Sequence, residues 1–437
     1  AFANLSVKAE CSASINDLGI FSLLISISRE IDHDQYHLQV VVALRNYAID
    51  PKNMESIADT GVEWLLEIVD RAKLETLKIQ GLSTIFNLSF NDNNKLHIIR
   101  IGGVEVIAKL MQDDELIVKR IATAIFANLA ALSDAQDALI HKKYLLILLG
   151  NLEYFHKAVV FESARALANL ALTDKNKAVL VGEGTILAMI KLMQSDNREL
   201  QKMATACTAN ILLIPENIYE FVTLDGMETV AKLCRKRDLD LKTYCLLVLR
   251  NLSGSLEYHN QLVDLGVIDI ALENFLEGTT EDIKYHAVSI ICNFCDQDEY
   301  RETYSYCDII SQLVTAMPNE EERIKIQMLW TLSKFATQDM YRIPMIQAAG
   351  FGMFLELILT QNNKIRLQAM NCLKYITLNL EVAKRVIIEG ALFIIVELLT
   401  DKDHEIQECA ALTLKNLVLI EDAQVILIQM DALELLS

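Results

Sequence analysis

Between Thr185 and Ile211 the apolar residues fall at Ile186, Met189, Ile190 and Met193. After the polar turn Ser195–Asp196–Asn197 they resume at Leu200, Met203, Ala204, Cys207 and Ile211. Both sets keep the three- and four-residue spacing of a helix with one apolar face. Ahead of them, residues 174–183 form a shorter amphipathic stretch closed by Gly184. The pattern predicts a short, a medium and a long helix in succession, with Asn210 and Ile211 near the end of the long one.

The end of that long helix carries a signature that recurs along the chain: an apolar residue, one spacer, then Asn, usually followed by Leu. The asparagines are Asn4, Asn46, Asn87, Asn128, Asn169, Asn210, Asn251, Asn293 and Asn416. Successive steps from Asn4 to Asn293 are 41 or 42 residues, and Asn293 to Asn416 spans three steps of 41. The two absent rungs fall at Lys334 and Tyr375, in the same helical context. Eleven rungs at one period describe a repeat protein, in which each unit hides its apolar face only against its neighbours. The expected architecture is all-α: one continuous α-α superhelix over residues 1–437, right-handed, with the third helices lining a concave groove. The chain opens on the end of one repeat (FANLS) and stops inside another (LELLS), which predicts a longer protein cut mid-repeat at both ends.

Glycines mark the joint between the first two helices. Gly19, Gly61, Gly103, Gly184, Gly226, Gly266, Gly350 and Gly390 lie 15 or 16 residues after a rung, where a left-handed residue would close the first helix. Lys143, Asp308 and Asp431 stand near that place in the repeats that lack the glycine. The prolines Pro51, Pro215, Pro318 and Pro344 are expected at helix starts or turns.

The chain has 437 residues, 52% of them hydrophobic, with only 15 Gly and 4 Pro, which suits helices better than turn-rich sheets. A net charge of −19 opposes a phosphate backbone or an anionic membrane surface as partner. No uncharged run reaches the length of a membrane span, and no small-molecule substrate is indicated. The nine scattered cysteines are read as reduced, buried thiols of a cytosolic or nuclear protein. The expected location is the cytoplasm (cytoplasmic), with the cytoskeleton, a cilium or the nucleus as alternatives.

A three-helix unit of this period, with Gly between its first helices and Asn-Leu late in its third, resembles the armadillo repeat. The resemblance covers the whole chain. It implies that the third-helix asparagines face a groove, where each amide offers a donor and an acceptor to one peptide unit of an extended ligand. The partner-binding candidates are Asn46, Asn87, Asn128, Asn169, Asn210, Asn251 and Asn293. Importin-α-type grooves add a Trp one turn before each Asn. Here only Trp330 fits, and its rung is Lys334, so that array is missing. The Arg45–Asn46 and Arg250–Asn251 pairs look like β-catenin-type positions, which meet acidic ligands. Arg45, Arg165, Arg250 and Lys334 therefore join the candidates, either for an acidic segment or as partners of carboxylates on the next repeat.

Other constellations carry less. His33 and His37 are spaced for a metal but read as a polar surface turn. Cys292–Cys295 belongs to an ordinary third helix, and His404–Glu408 lacks the second His of a zinc-protease motif. Asp113–Glu115 and Glu320–Glu322 read as solvated rims. No metal, cofactor or catalytic residue is expected. The sequence points to a non-enzymatic scaffold or adaptor that holds an extended segment of a partner protein. A structural part of a cytoskeletal or ciliary (axonemal) assembly and the regulatory array of a longer enzyme are the alternatives.

Overall fold

The structure, a computed structural model, describes residues 20–429 apart from 32, 51, 52 and 307. Asn4, Cys11, Gly19, Asp32, Pro51, Cys307 and Asp431 lie outside the described residues. The described residues are helical, without strands, and the chain divides into two compact units, 1–233 and 234–437.

Each unit is a succession of short, medium and long helices. The long third helices of the first unit are α1 (Asp34–Tyr47), α2 (Glu75–Leu88), α3 (Leu116–Ala130), α4 (Lys157–Leu170) and α5 (Arg198–Ile211). Those of the second are α6 (Leu239–Ser253), α7 (Glu281–Phe294), α8 (Glu322–Ala336), α9 (Asn363–Ile376) and α10 (His404–Leu417). Within each unit every third helix packs on the next, and second helices cover their buried side. The residues that set the period are the ones inside: Ile186, Met189, Ile190 and Met193 with Leu200, Ala204, Cys207 and Ile211. Third helices begin on polar caps where the turn supplies them. Asn197 accepts from the N–H groups of Glu199 and Leu200, and Asp238 from Leu241.

Three local expectations are corrected. The glycine joint is left-handed at Gly184, Gly266 and Gly390, but elsewhere the work is divided. Gly102 and Asp225 take the positive φ (78° and 57°), and the next residues, Gly103 and Gly226, are helical. Those two glycines serve close approach instead. A Cβ on Gly226 would sit 2.4 Å from the Phe221 ring, and one on Gly103 would sit 2.7 Å from Leu66 Cδ1. At Gly61 and Gly350 there is no joint, because the first two helices run on as Met54–Arg71 and Asp339–Ile358. Asp308 does adopt the left-handed conformation, with φ of 52°. The second correction is Pro344, which lies inside Asp339–Ile358 past its first turn, so the Met340 carbonyl has no helical N–H partner. The third concerns the acidic turns, which are not simply solvated. Asp113 pairs with Lys78 at 2.8 Å, Glu320 with Lys284 at 2.6 Å, and Asp401 with Arg366, each tying a turn to the preceding repeat's third helix.

The helix ends are closed by a second ladder that the sequence reading missed. In all the described repeats but the one that follows Tyr375, where Val382 and Ala383 hold the place, a side chain in the first helix, or in the turn leading to it, reaches back six residues to the last carbonyls of the third helix. Asn53 donates to Tyr47 O (3.1 Å), Asn94 to Leu88 O (3.2 Å), Gln136 to Ala130 O (2.9 Å), Asn176 to Leu170 O (3.0 Å) and Asn217 to Ile211 O (3.0 Å). In the second unit His259 serves Ser253 O (2.7 Å), Arg301 Cys295 O (2.6 Å), Arg342 Ala336 O (2.9 Å) and Gln424 Val418 O (2.9 Å). A helix C-terminus leaves carbonyls without intrahelical donors, and these side chains satisfy them where the chain turns under the core. The sequence signal was present, seven or eight residues after these rungs, but chemical variety among Asn, Gln, His and Arg concealed it.

Candidate peptide-binding face

The rung asparagines stand one turn or less from the end of each third helix. Their amides are not equivalent. In several repeats the NH2 group donates backward, to the carbonyl just before the previous rung: Asn169 to Ala127 O (2.8 Å), Asn293 to Arg250 O (3.2 Å) and Asn416 to Lys374 O (3.0 Å). Where the previous repeat has a hydroxyl two residues past its rung, the amide takes that too. Asn128 reaches Ser89 Oγ (2.9 Å), Asn293 Ser253 Oγ (3.0 Å) and Asn416 Thr377 Oγ1 (3.1 Å). Lys334, at a broken rung, makes the same connection with its ammonium, to Cys292 O at 2.8 Å, and adds Asp296 at 2.6 Å. The ladder is thus partly internal mortar between consecutive third helices.

What remains outward differs by rung. Asn128 is only 5% exposed, and its carbonyl oxygen accepts from Arg165 Nη1 at 2.9 Å, so the expectation of a groove-facing amide is corrected there. Asn169 and Asn293 use their NH2 groups internally and keep their carbonyl oxygens without a partner among the described residues. Asn87 and Asn210 have no side-chain hydrogen bond among the described residues and are half-buried. Asn46 accepts from Arg45 Nη2 at 3.2 Å, and Asn251 is half-buried and not without a partner.

The basic candidates divide in the same way. Arg45 is spent on Gln80 and Asn46. Arg165 is held by Glu162 (2.6 Å), Asn128 and Ala124 O. Arg250 differs. Its Nη1 lies 3.4 Å from His286 Nδ1 and its guanidinium carbon lies 5.6 Å from the Tyr285 ring centroid, with no carboxylate partner among the described residues.

Arg250 opens into a pocket of about 290 Å³ on the faces of α6, α7 and α8. Tyr285, Ser289, Asn293, Asp296, Trp330 and Lys334 also line it. Trp330 is 48% exposed, with the Lys334 ammonium 5.8 Å from its ring centroid. Arg323 stacks 4.9 Å from the Tyr285 centroid, anchored by Glu281 and by Asp282 at 2.5 Å. Four sequence candidates, Arg250, Asn293, Trp330 and Lys334, therefore meet at one place. Tyr285 and Ser289, one repeat on from Arg250, were not anticipated.

The electrostatics follow from burial. His286 is nearly covered, and desolvation, with Arg250 beside it, lowers its pKa to about 4. It is neutral at pH 7, so its Nδ1 accepts from Arg250 without cancelling that charge. Burial pushes the Cys207 and Cys234 thiols up to about 12 and raises Cys292 and Cys295 as well, which leaves them as packing groups. His37 is corrected from a surface turn to a core position: its Nε2 meets Ser28 O at 3.0 Å and its ring packs edge-on to Trp64. Among the described residues no three His, Cys, Asp or Glu side chains are arranged to hold a metal ion. No single helix among them is long and apolar enough to cross a membrane.

Three-helix repeats at a 41-residue period, with a left-handed joint and Asn late in the third helix, are an armadillo-like arrangement, and the curated proteins this chain is similar to are armadillo-repeat proteins. No family model matches the chain. It is 28% identical over 141 residues to Vacuolar protein 8 of Yarrowia lipolytica (32% of this chain, 25% of that protein). Over 112 residues it is 28% identical to Armadillo repeat-containing protein 3 of Homo sapiens (25% of this chain, 13% of that protein). Vacuolar protein 8 of Saccharomyces cerevisiae is 26% identical over 175 residues (38% and 30%). The chain thus spans under a third of the length of each of these relatives. The crystal structure of an engineered protein superposes with a TM-score of 0.82 over 91% of this chain and 98% of that one, at 23% identity, a likeness of fold alone.

Proposed function

We propose that the protein is a non-catalytic interaction scaffold that holds an extended, acidic segment of a partner protein on its third-helix faces. The carrying observation is the pocket on α6–α8, where Arg250 has no carboxylate partner among the described residues and stands with Asn293 and a half-exposed Trp330. A carboxylate entering there gains a charge-assisted hydrogen bond from a guanidinium already positioned by His286 and Tyr285. The Trp330 ring offers apolar area beside it. The free carbonyl oxygen of Asn293 accepts a ligand N–H, and the fixed amide loses little entropy in doing so. In the first unit Asn87, Asn169 and Asn210 supply the same backbone chemistry.

The test is a peptide selection from a random library on the purified chain, with clones measured by fluorescence anisotropy. Peptides rich in Asp and Glu are expected, with affinity falling at least about tenfold in Arg250→Glu and in Trp330→Ala at unchanged melting temperature. Acidic peptides that bind both variants as well as the parent would refute the assignment.

A further inference from the structure

The turn that follows each third helix of the first unit carries a second periodic feature. Its residues Ile49, Phe90, Ala131, Leu172 and Leu213 are spaced by 41 throughout, and all five are exposed. The four large ones range from 47% exposed (Leu213) to 67% (Ile49). In four of the five turns the backbone fixes the place, since the N–H of Phe90, Ala131, Leu172 and Leu213 donates to the carbonyl of the rung Asn three residues earlier. The repeat itself does not need an apolar group there. The equivalent residues Gly254, Asp296 and Thr337 of the second unit make the turn without one, while Leu378 and Leu419 there are again exposed leucines. Five exposed apolar residues in register therefore form a row that the turn does not require, although Phe90 also packs edge-on to the Phe86 ring, and large exposed apolar rows mark contact surfaces.

An acidic row runs beside it. Asp50, Asp92, Asp134, Asp174 and Glu216 stand one to three residues further on, again once per repeat. Asp92 and Asp174 are paired locally, with Lys95 and Lys177. Asp134 and Glu216 are exposed and have no cationic partner among the described residues. A first-turn carboxylate favours its own helix N-terminus, which accounts for one acid per turn but not for the apolar residue beside it. Apolar groups rimmed by carboxylates fit a ligand of the opposite charge and disfavour an anionic lipid surface.

We propose that this row docks a basic amphipathic helix of a partner protein, at a surface separate from the Arg250–Trp330 pocket. Adjacent third helices lie roughly 8–10 Å apart. An α-helix places residues i and i+7 about 10.5 Å apart on one face, whereas in an extended strand, whose side chains alternate faces, the residue about 10 Å along (i+3) points to the opposite face. A helix with apolar residues at heptad spacing and Lys or Arg flanking them matches both rows.

The probe is a synthetic Lys-rich amphipathic helix of that spacing, with a Glu-for-Lys version and a scrambled version, titrated against the whole chain. The Lys-rich helix is expected to bind best, with affinity falling at least tenfold in Phe90→Asp/Leu172→Asp. In Asp134→Asn/Glu216→Gln it should fall several-fold, with a weaker salt dependence. Equal affinity for the scrambled peptide, or none of the loss in Phe90→Asp/Leu172→Asp, would mean charge-driven sticking to an acidic protein and overturn the proposal. Self-association of the parent that Phe90→Asp/Leu172→Asp abolishes would identify a second copy as the occupant and overturn it too. A melting temperature unchanged in both variants keeps the comparison one of surface rather than of fold.

Discussion

Asn94 and Asn87 lie seven residues apart, yet the fold uses them oppositely. Asn94 is buried and donates to Met54 O and Leu88 O, while the Asn87 amide has no partner among the described residues. Asn94→Ala would strand buried carbonyls and is expected to cost about 1–3 kcal/mol in urea denaturation. Asn87→Ala is expected to stay within about 0.5 kcal/mol of the parent. Equal losses would contradict the division between closing side chains and outward ones. The sequence showed the rungs plainly because one residue type repeats at one spacing. It hid the closing ladder because a carbonyl accepts equally from Asn, Gln, His or Arg, so geometry constrains the position more than the identity. It also could not distinguish Asn128 from Asn169, since the hydroxyl of Ser89 and the reach of Arg165 belong to neighbouring repeats.

His286 supplies a pH signature at the same scale. An unfolded histidine protonates near pH 6.5, and this one near 4. Between those values the unfolded state holds more protons, so stability is full above about pH 6.5 and is lost as pH falls toward 4, by up to about 3 kcal/mol. The His286→Gln variant should show a flatter stability profile over that interval. An unaltered slope would place the titration elsewhere.

At the scale of the helix, periodic apolar residues fixed the trio of helices to within a residue or two. The Thr185–Met193 and Arg198–Ile211 helices fall where the pattern puts them. The joints were less legible, because glycine answers to two different needs. Gly184 has φ of 83° with open space around its missing Cβ, whereas Gly226 is helical and faces the Phe221 ring. Gly184→Ala is expected to cost about 1 kcal/mol through backbone strain. Gly226→Ala should cost about 1–3 kcal/mol through overpacking against a buried ring. A compensating Phe221→Leu should recover part of the second loss and none of the first. Pro344→Ala restores an N–H opposite the Met340 carbonyl inside Asp339–Ile358 and is expected to raise the melting temperature. A fall would show that the helix needs its break.

At the scale of the molecule, the repeat period made the all-α fold readable end to end, and the same period sorted the surface. The third-helix faces carry amides, cations and two aromatic rings, while the turns below them in the first unit carry apolar and acidic rows. Repetition conceals such differences, because the interactions that separate one rung from the next run between repeats. Arg45 and Arg250 occupy equivalent places before Asn, yet one meets Gln80 and the other a neutral His286. Only the second is left to meet a ligand's charge.

Trp330 gives that claim its own reporter, since the other tryptophan, Trp64, is buried. The most direct measurement is the emission of Trp330 during titration with an acidic peptide selected on the chain, in a Trp64→Phe background. Saturable change in Trp330 emission, lost in Arg250→Glu and weakened by salt, is the predicted result. Tight binding that leaves Trp330 emission unmoved, and that survives Arg250→Glu, would contradict it.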